Sequence, residues 1–158
     1  MGGTTITVGV ISDTHGLLRP EATHALKGAE LILHAGDVGN PAVLDGLRAI
    51  SRTVAIRGNV DTGEWASALP ETDVVEIGQL QVYMLHDLAR LDLDPKAAGF
   101  AAVISGHTHR PHSEVRNGVL YLNPGSAGPR RFNLPLAVAR LEVTGDRLSH
   151  EIIELRLW

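Results

Sequence analysis

Five short apolar runs, each closed by glycine or a polar residue, punctuate the first two-thirds of the chain. "TITVGVIS" (5–12), "ELILHAG" (30–36) and "RTVAIRG" (52–58) are too short for buried helices and read as buried strands. Between them, "RPEATHALKG" (19–28) has proline near a helix start and glycine at its end. "NPAVLDGLRAI" (40–50) offers an Asn40 cap, Pro41 at the first helical position and an apolar face. A β-α-β-α-β opening of this kind implies parallel strands joined by right-handed crossovers. The pattern then changes. "TDVVEIGQLQVYMLHD" (72–87) reads as a hairpin around Gly78, and "FAAVISG" (100–106) as a buried strand after a short helix near 95–99. "HSEVRNGVLYLN" (112–123) sets Asn-Gly between alternating runs, a strong hairpin signal, and 136–157 forms a hairpin through "TGD". The first third is therefore α/β and the remainder mostly β.

The residues just past the buried strands matter more than the strands. After 5–12 comes Asp13-Thr14-His15, after 30–36 Asp37, after 52–58 Asn59-Val60-Asp61, after 80–85 His86, and after 100–106 His107-Thr108-His109. Each residue alone has a commoner use: Asp37 as a cap or turn, Asn59 as a left-handed turn, His86 as a packed strand-end histidine. Together they gather at the carboxyl edge of a sheet, where ligands bind. In an extended segment residues i and i+2 point the same way, so Asp13 and His15 reach one ion and His107 and His109 face one cavity. Asp37 has two oxygens with which to bridge two ions. Asn59 brings a neutral oxygen and an NH₂ donor. His34, inside its strand, is core or backs the ligands.

Composition narrows the ion. There are no cysteines among the 158 residues, so thiolate sites and disulfides are excluded. Nitrogen and oxygen ligation suits Mn, Fe, Ni, Co or Zn better than Ca or Mg. With 44% apolar and 20% charged residues, the chain is globular and is read as one domain, 1–158. The net charge of −4 comes with no basic stripe, which argues against nucleic-acid binding through charge. No signal-peptide pattern or membrane-length apolar run appears, so a cytoplasmic protein without membrane attachment is expected. Homo-oligomerisation is left open.

The order "VISDTHG", "LILHAGDV", "AIRGNVD", "GHTHRP", "YLNPGS" resembles the calcineurin-like metallophosphoesterases, and among them the small bacterial and archaeal phosphodiesterases. The resemblance spans most of the chain. It implies a two-sheet β-sandwich flanked by helices, an α/β (α+β) four-layer architecture, with two divalent ions, Mn foremost, at one end. One ion would take Asp13, His15, His109 and a bridging Asp37. The other would take Asp37, Asn59, His86 and His107. A hydroxide bridging the pair would attack a small phosphate ester in line, with Asp37 and Asn59 as the catalytic groups and Asn59 donating to a phosphoryl oxygen. Arg130, in "NPGSAGPRR", is a candidate substrate contact.

Two departures stand out. Many members carry histidine after the asparagine, where this chain has Val60, and glycine after the strand-end histidine, where it has Asp87. The role of Asp61 is open. Two rival functions remain: a non-catalytic protein-binding scaffold on the same fold, as in a retromer subunit, and a phosphomonoesterase or nucleotide hydrolase. A scaffold should show eroded ligands, whereas all seven positions here are filled with suitable residues.

Overall fold

The computed structural model describes residues 4–158. β1 (Thr5–Ile11), α1 (Pro20–Ala25), β2 (Leu31–His34), α2 (Pro41–Arg48) and β3 (Arg52–Ala55) form the α/β opening. β1 pairs parallel with β2, and β2 with β3. The hairpin β9 (Ala137–Thr144) and β10 (Arg147–Glu154) returns to the other side of β1, giving a first sheet in the order β10-β9-β1-β2-β3. The second sheet runs β4 (Thr72–Ile77), β5 (Leu80–Leu85), β6 (Ala102–Ile104), β8 (Val119–Asn123), β7 (His112–Arg116).

Local chemistry explains most boundaries. The Asn40 side chain accepts from Ala42 N and so caps α2, with Pro41 following it. The β7–β8 turn places Asn117 and Gly118 both at positive φ (52° and 80°), the conformation that Asn-Gly is suited to adopt. α1 is shorter than the 19–28 that the sequence suggests, because its last turn is already unwinding at Leu26 ahead of the left-handed Gly28. A one-turn helix α3 (Glu64–Ser67) has no clear sequence signal. The mostly-β remainder also contains two parallel pairings, β5 with β6 and β6 with β8.

Alternation along the strands sets up the layers. Val8, Val10, Leu31 and Leu33 of the first sheet meet Val75, Val82, Met84, Ile104 and Leu122 of the second in one core. The opposite face of the first sheet, with Ile11 and Ile32, packs on Leu26 of the α1 end and on Val43, Leu44 and Leu47 of α2. The outer face of the second sheet is covered more thinly. Tyr83, Leu85 and Val103 pack there against Leu88, Leu91, Leu93 and Phe100, from a 3-10 turn (Leu88–Arg90) and the segment around α4 (Pro95–Ala98). The result is a four-layer α/β/β/α sandwich. β1, β2 and β3 are parallel to one another, as are β5, β6 and β8, so the loops that follow them emerge in sets at strand ends.

Candidate metal centre

Beyond β1 and β2 the backbone pairing continues into the loops. Asp13 N donates to Gly36 O, His15 N to Asp37 O and Gly16 N to Val38 O, at 3.0, 2.9 and 2.7 Å. The loops carrying Asp13, His15 and Asp37 are thus locked side by side. A loop of the second sheet is tied to them where His107 N donates to Asp13 Oδ2 at 3.1 Å, and the two second-sheet loops are tied to each other where Gly106 N donates to His86 O at 2.9 Å. Asn123 braces the histidine loop, donating to Gly106 O and Thr108 Oγ1.

Five side chains converge. Asp13 Oδ1 lies 3.4 Å from His109 Nε2, 3.8 Å from His15 Nε2 and 3.9 Å from His86 Nε2. Asp37 Oδ2 lies 3.2 Å from His86 Nε2 and 3.7 Å from His15 Nε2. Each carboxylate uses its other oxygen for anchoring. Asp13 Oδ2 accepts from the Ser12 hydroxyl at 2.6 Å, and Asp37 Oδ1 from Val60 N at 3.0 Å. Two triads could each hold an ion, Asp13-His15-His109 and Asp13-Asp37-His86. Asp13 belongs to both, and Asp37 Oδ2 also reaches a histidine of each, His86 and His15.

The side chains are aimed differently from the sequence expectation. Asp13, His15, Asp37, His107 and His109 all have positive φ, between 47° and 72°, and so are not extended. Among the described residues only Asn117 and Phe132 otherwise do this without being glycine. Left-handed backbone turns, and not the period-2 alternation of a strand, direct these side chains inward. Strain of this kind persists where surrounding structure over-determines it, and it clusters at functional sites.

His86 shows why a cation fits. Its Nδ1 is 2.7 Å from the carbonyl oxygen of Ala35, which can only accept, so Nδ1 carries the hydrogen. In the neutral ring Nε2 is then a lone pair facing two carboxylate oxygens. Such an arrangement demands a proton or a metal ion, and a backbone-anchored Nδ1–H is how metal-binding histidines are oriented. Of the four buried side-chain polar atoms without a hydrogen-bond partner among the described residues, three belong to this cluster: Asp13 Oδ1, His86 Nε2 and His109 Nδ1. Burial acts to raise the carboxyl of Asp13, but His109, His15 and Ser12 outweigh it and hold the group well below the usual carboxylate range. Burial likewise acts against Asp37 ionising, and His86 with the Val60 amide reverses the shift. For His86 burial acts downward, while Asp37, the Ala35 carbonyl and Asp13 raise its pKa.

Not every candidate enters the cluster. The side chain of His107 is 42% exposed, with its ring 5.2 Å from that of His86 and its Nε2 3.8 Å from Asp87 Oδ2. Asn59 is exposed and lines a polar cavity beside His86. Arg130 is exposed and lines neither cavity flanking the cluster, so its candidacy as a substrate contact has no geometric support. Arg57 and Arg90, overlooked in the sequence, line the polar cavity instead. Arg57 directly precedes "GNVD", and that adjacency was the available signal.

Asp61 acquires a role. It is 4% exposed, and its carboxylate accepts from Val38 N, Gly39 N and Gly58 N at 3.1, 2.8 and 2.9 Å. It therefore ties the backbone just after Asp37 to the backbone just before Asn59. His34 is a second brace. Gly36 N donates to its Nδ1, so Nε2–H donates to Thr14 Oγ1, which donates to Val38 O. Burial lowers the pKa of His34 from 6.5 to about 4. The unfolded chain thus binds the proton first as pH falls. Stability from this group is full above pH 6.5 and is lost towards pH 4, about 3 kcal/mol in all. Histidine NMR titration should find His34 neutral throughout about pH 5–8, where ordinary histidines change charge. A midpoint near 6.5 would contradict the buried neutral ring.

Gly106 is required by close approach. A Cβ there would overlap Ser12 Oγ and stand 2.6 Å from Asp13 Oδ2. Gly106→Ala should cost about 1–3 kcal/mol, read from the denaturant midpoint. An unchanged midpoint would contradict the tight seating of the loop on Asp13.

Carboxylates and imidazoles without thiolates, gathered at one edge of a two-sheet sandwich, define a protein built to hold divalent cations by nitrogen and oxygen. The sequence pattern of the calcineurin-like phosphoesterase superfamily domain matches residues 6–146. The chain belongs to that superfamily. It is 34% identical to a probable metallophosphoesterase of Methanocaldococcus jannaschii, across 98% of this chain and 84% of the relative. Among solved structures, Vacuolar Protein Sorting 29 from Cryptosporidium parvum superposes with a TM-score of 0.82 at 21% identity, covering 96% of this chain and 92% of that one. A structure described as a novel archaeal phosphodiesterase superposes with 0.80 at 24% identity, covering 95% and 100%. At these identities the two structural likenesses speak to the fold alone.

Proposed function

We propose that the chain, acting as a single domain over 1–158, is a phosphodiesterase dependent on two divalent metal ions. The observation that carries this is the buried lone pair of His86 Nε2 facing the carboxylates of Asp13 and Asp37, a place that only a cation fills well. Asp13, His15 and His109 would hold one ion. Asn59, His86 and His107 would hold the other, and Asp37 would be shared. Mn is the preferred metal, with Fe, Ni, Co and Zn compatible with the same donors. When bound, the ions supply positive charge to phosphoryl oxygens and acidify a water.

The chain's own residues do the rest. Asp61 and His34 hold the ligand loops in their left-handed conformations. Asn59, exposed beside His86, offers its NH₂ to a phosphoryl oxygen in the polar cavity of about 390 Å³. Asp87 adds negative charge at the same edge, which disfavours a dianionic monoester relative to a monoanionic diester. No helix among the described residues is long and apolar enough to cross a membrane.

The test is a panel of p-nitrophenyl diesters and p-nitrophenyl phosphate, run with metal-loaded and chelated protein. Diester hydrolysis that appears only with metal is expected. Monoester hydrolysis as the dominant activity would move the substrate class. Asn59→Ala should lower turnover about 100- to 1000-fold, as loss of one anion-stabilising donor does, while most metal is retained. Near-normal turnover in a fully loaded variant would remove Asn59 from the mechanism.

A further inference from the structure

Asp87 borders two cavities. One is the polar cavity beside His86 and Asn59. The other, about 670 Å³, is bordered by the histidine loop and differs in character. Leu88, Ala89, Pro111, Leu134 and Pro135 give it an apolar wall, with the half-buried Tyr121 beside them. Gly106 and Thr108, which flank His107, line it too. Asn123 lies in the same wall and fixes that loop by donating to Gly106 O and Thr108 Oγ1. The cavity and the cluster therefore share one rigid loop. A phosphoryl group near His107 stands at the cavity's edge.

A diester in an in-line displacement expels one arm opposite the attacking water and keeps the other. The retained arm needs a place beside the phosphoryl group. A bare phosphate monoester has no such arm and no use for an apolar cavity. The size is that of a site for a ring-bearing organic group. Arg110 and His112 also border the cavity but are exposed to solvent, while Asp87 stands at the edge shared with the cluster. An arm carrying negative charge next to the phosphoryl group would meet Asp87. We propose that this cavity receives the retained arm of the substrate, and that this arm is uncharged, apolar and contains at least one ring. The inference rests on the phosphodiesterase reading above and names the substrate class for it.

The test uses metal-loaded protein and diesters that all release p-nitrophenolate, with methyl, phenyl or 1-naphthyl as the retained arm. Each kcat/KM is divided by the uncatalysed rate of the same ester. The naphthyl ester should exceed the methyl ester by about 10-fold or more, from the apolar area it buries. Leu134→Asp, which charges the wall, and Ala89→Trp, which fills the space, should each bring that ratio towards one. An equal ratio in all three proteins overturns the assignment. If no diester is hydrolysed, calorimetric binding of the methyl and naphthyl esters of methylphosphonate reads the same preference. A naphthyl preference abolished by both variants then supports the cavity's role while removing the catalytic reading. Equal binding of the two esters overturns the cavity's role.

Discussion

Asp37→Ala should abolish both metal retention and diester hydrolysis, with turnover falling by more than about 10⁴-fold. Asp37 Oδ2 faces His86 at 3.2 Å and His15 at 3.7 Å, one histidine from each triad side. Its removal opens both ion positions at once. The chemistry lost would be the strong acidification of a water that bound ions supply, which no side chain here replaces. Loss of a group that merely backs a ligand costs about 10- to 100-fold, so a fall confined to that range would assign Asp37 a supporting place. Asp13→Ala should be comparably severe, since Asp13 Oδ1 lies within 3.4–3.9 Å of His109, His15 and His86. Metal content by elemental analysis and turnover by nitrophenolate release separate loss of the ions from loss of chemistry.

Turnover should depend steeply on leaving-group pKa, because Val60 stands where the family resemblance implies an imidazole. Val60 is 47% exposed and has no proton to give. Asp61, the nearest carboxylate in sequence, is committed to three backbone N–H groups and is not free to act as an acid. General acid catalysis is worth about 100- to 10,000-fold, mostly for poor leaving groups such as alkoxides and little for phenolates. Aryl diesters should therefore be far better substrates than alkyl diesters of matched size. Val60→His should flatten the dependence. The measurement is rate against leaving-group pKa for aryl and alkyl esters in both proteins. A flat series in the unmodified protein would mean that another residue donates the proton, and Asp87, 3.8 Å from His107 Nε2, is then the group to replace.

The strands and the residues that end them were legible because buried parallel strands advertise themselves as short apolar runs, and ligand-type residues interrupt those runs abruptly. Those interruptions mark Asp13, His15, Asp37, His86 and His109, which the fold brings within a few ångströms of one another. How they are aimed was not legible. Period-2 alternation assigned Asp13 with His15, and His107 with His109, to extended backbone, whereas all four are left-handed. Aspartate and histidine enter that conformation more often than most residues, but no local pattern announces it at these positions. It is imposed by non-local clamps such as Asp61 on Val38 and Gly39, and Ser126 on the Asp13 carbonyl. The bracing by His34 through Thr14 was hidden for the same reason, since a buried histidine within a strand reads equally as core. The partnership of β6 with β8 joins segments separated by the β7 strand, and local pattern carries no record of it.

The most direct test measures bound metal and diester turnover in the same sample, as ions are returned stepwise to chelated protein. Two divalent ions per chain are predicted, with turnover rising to its maximum only as the second is bound. A reconstituted protein that holds no metal, or one whose chelated form hydrolyses diesters as fast as its loaded form, would contradict a dinuclear phosphodiesterase and leave the cluster without its catalytic role.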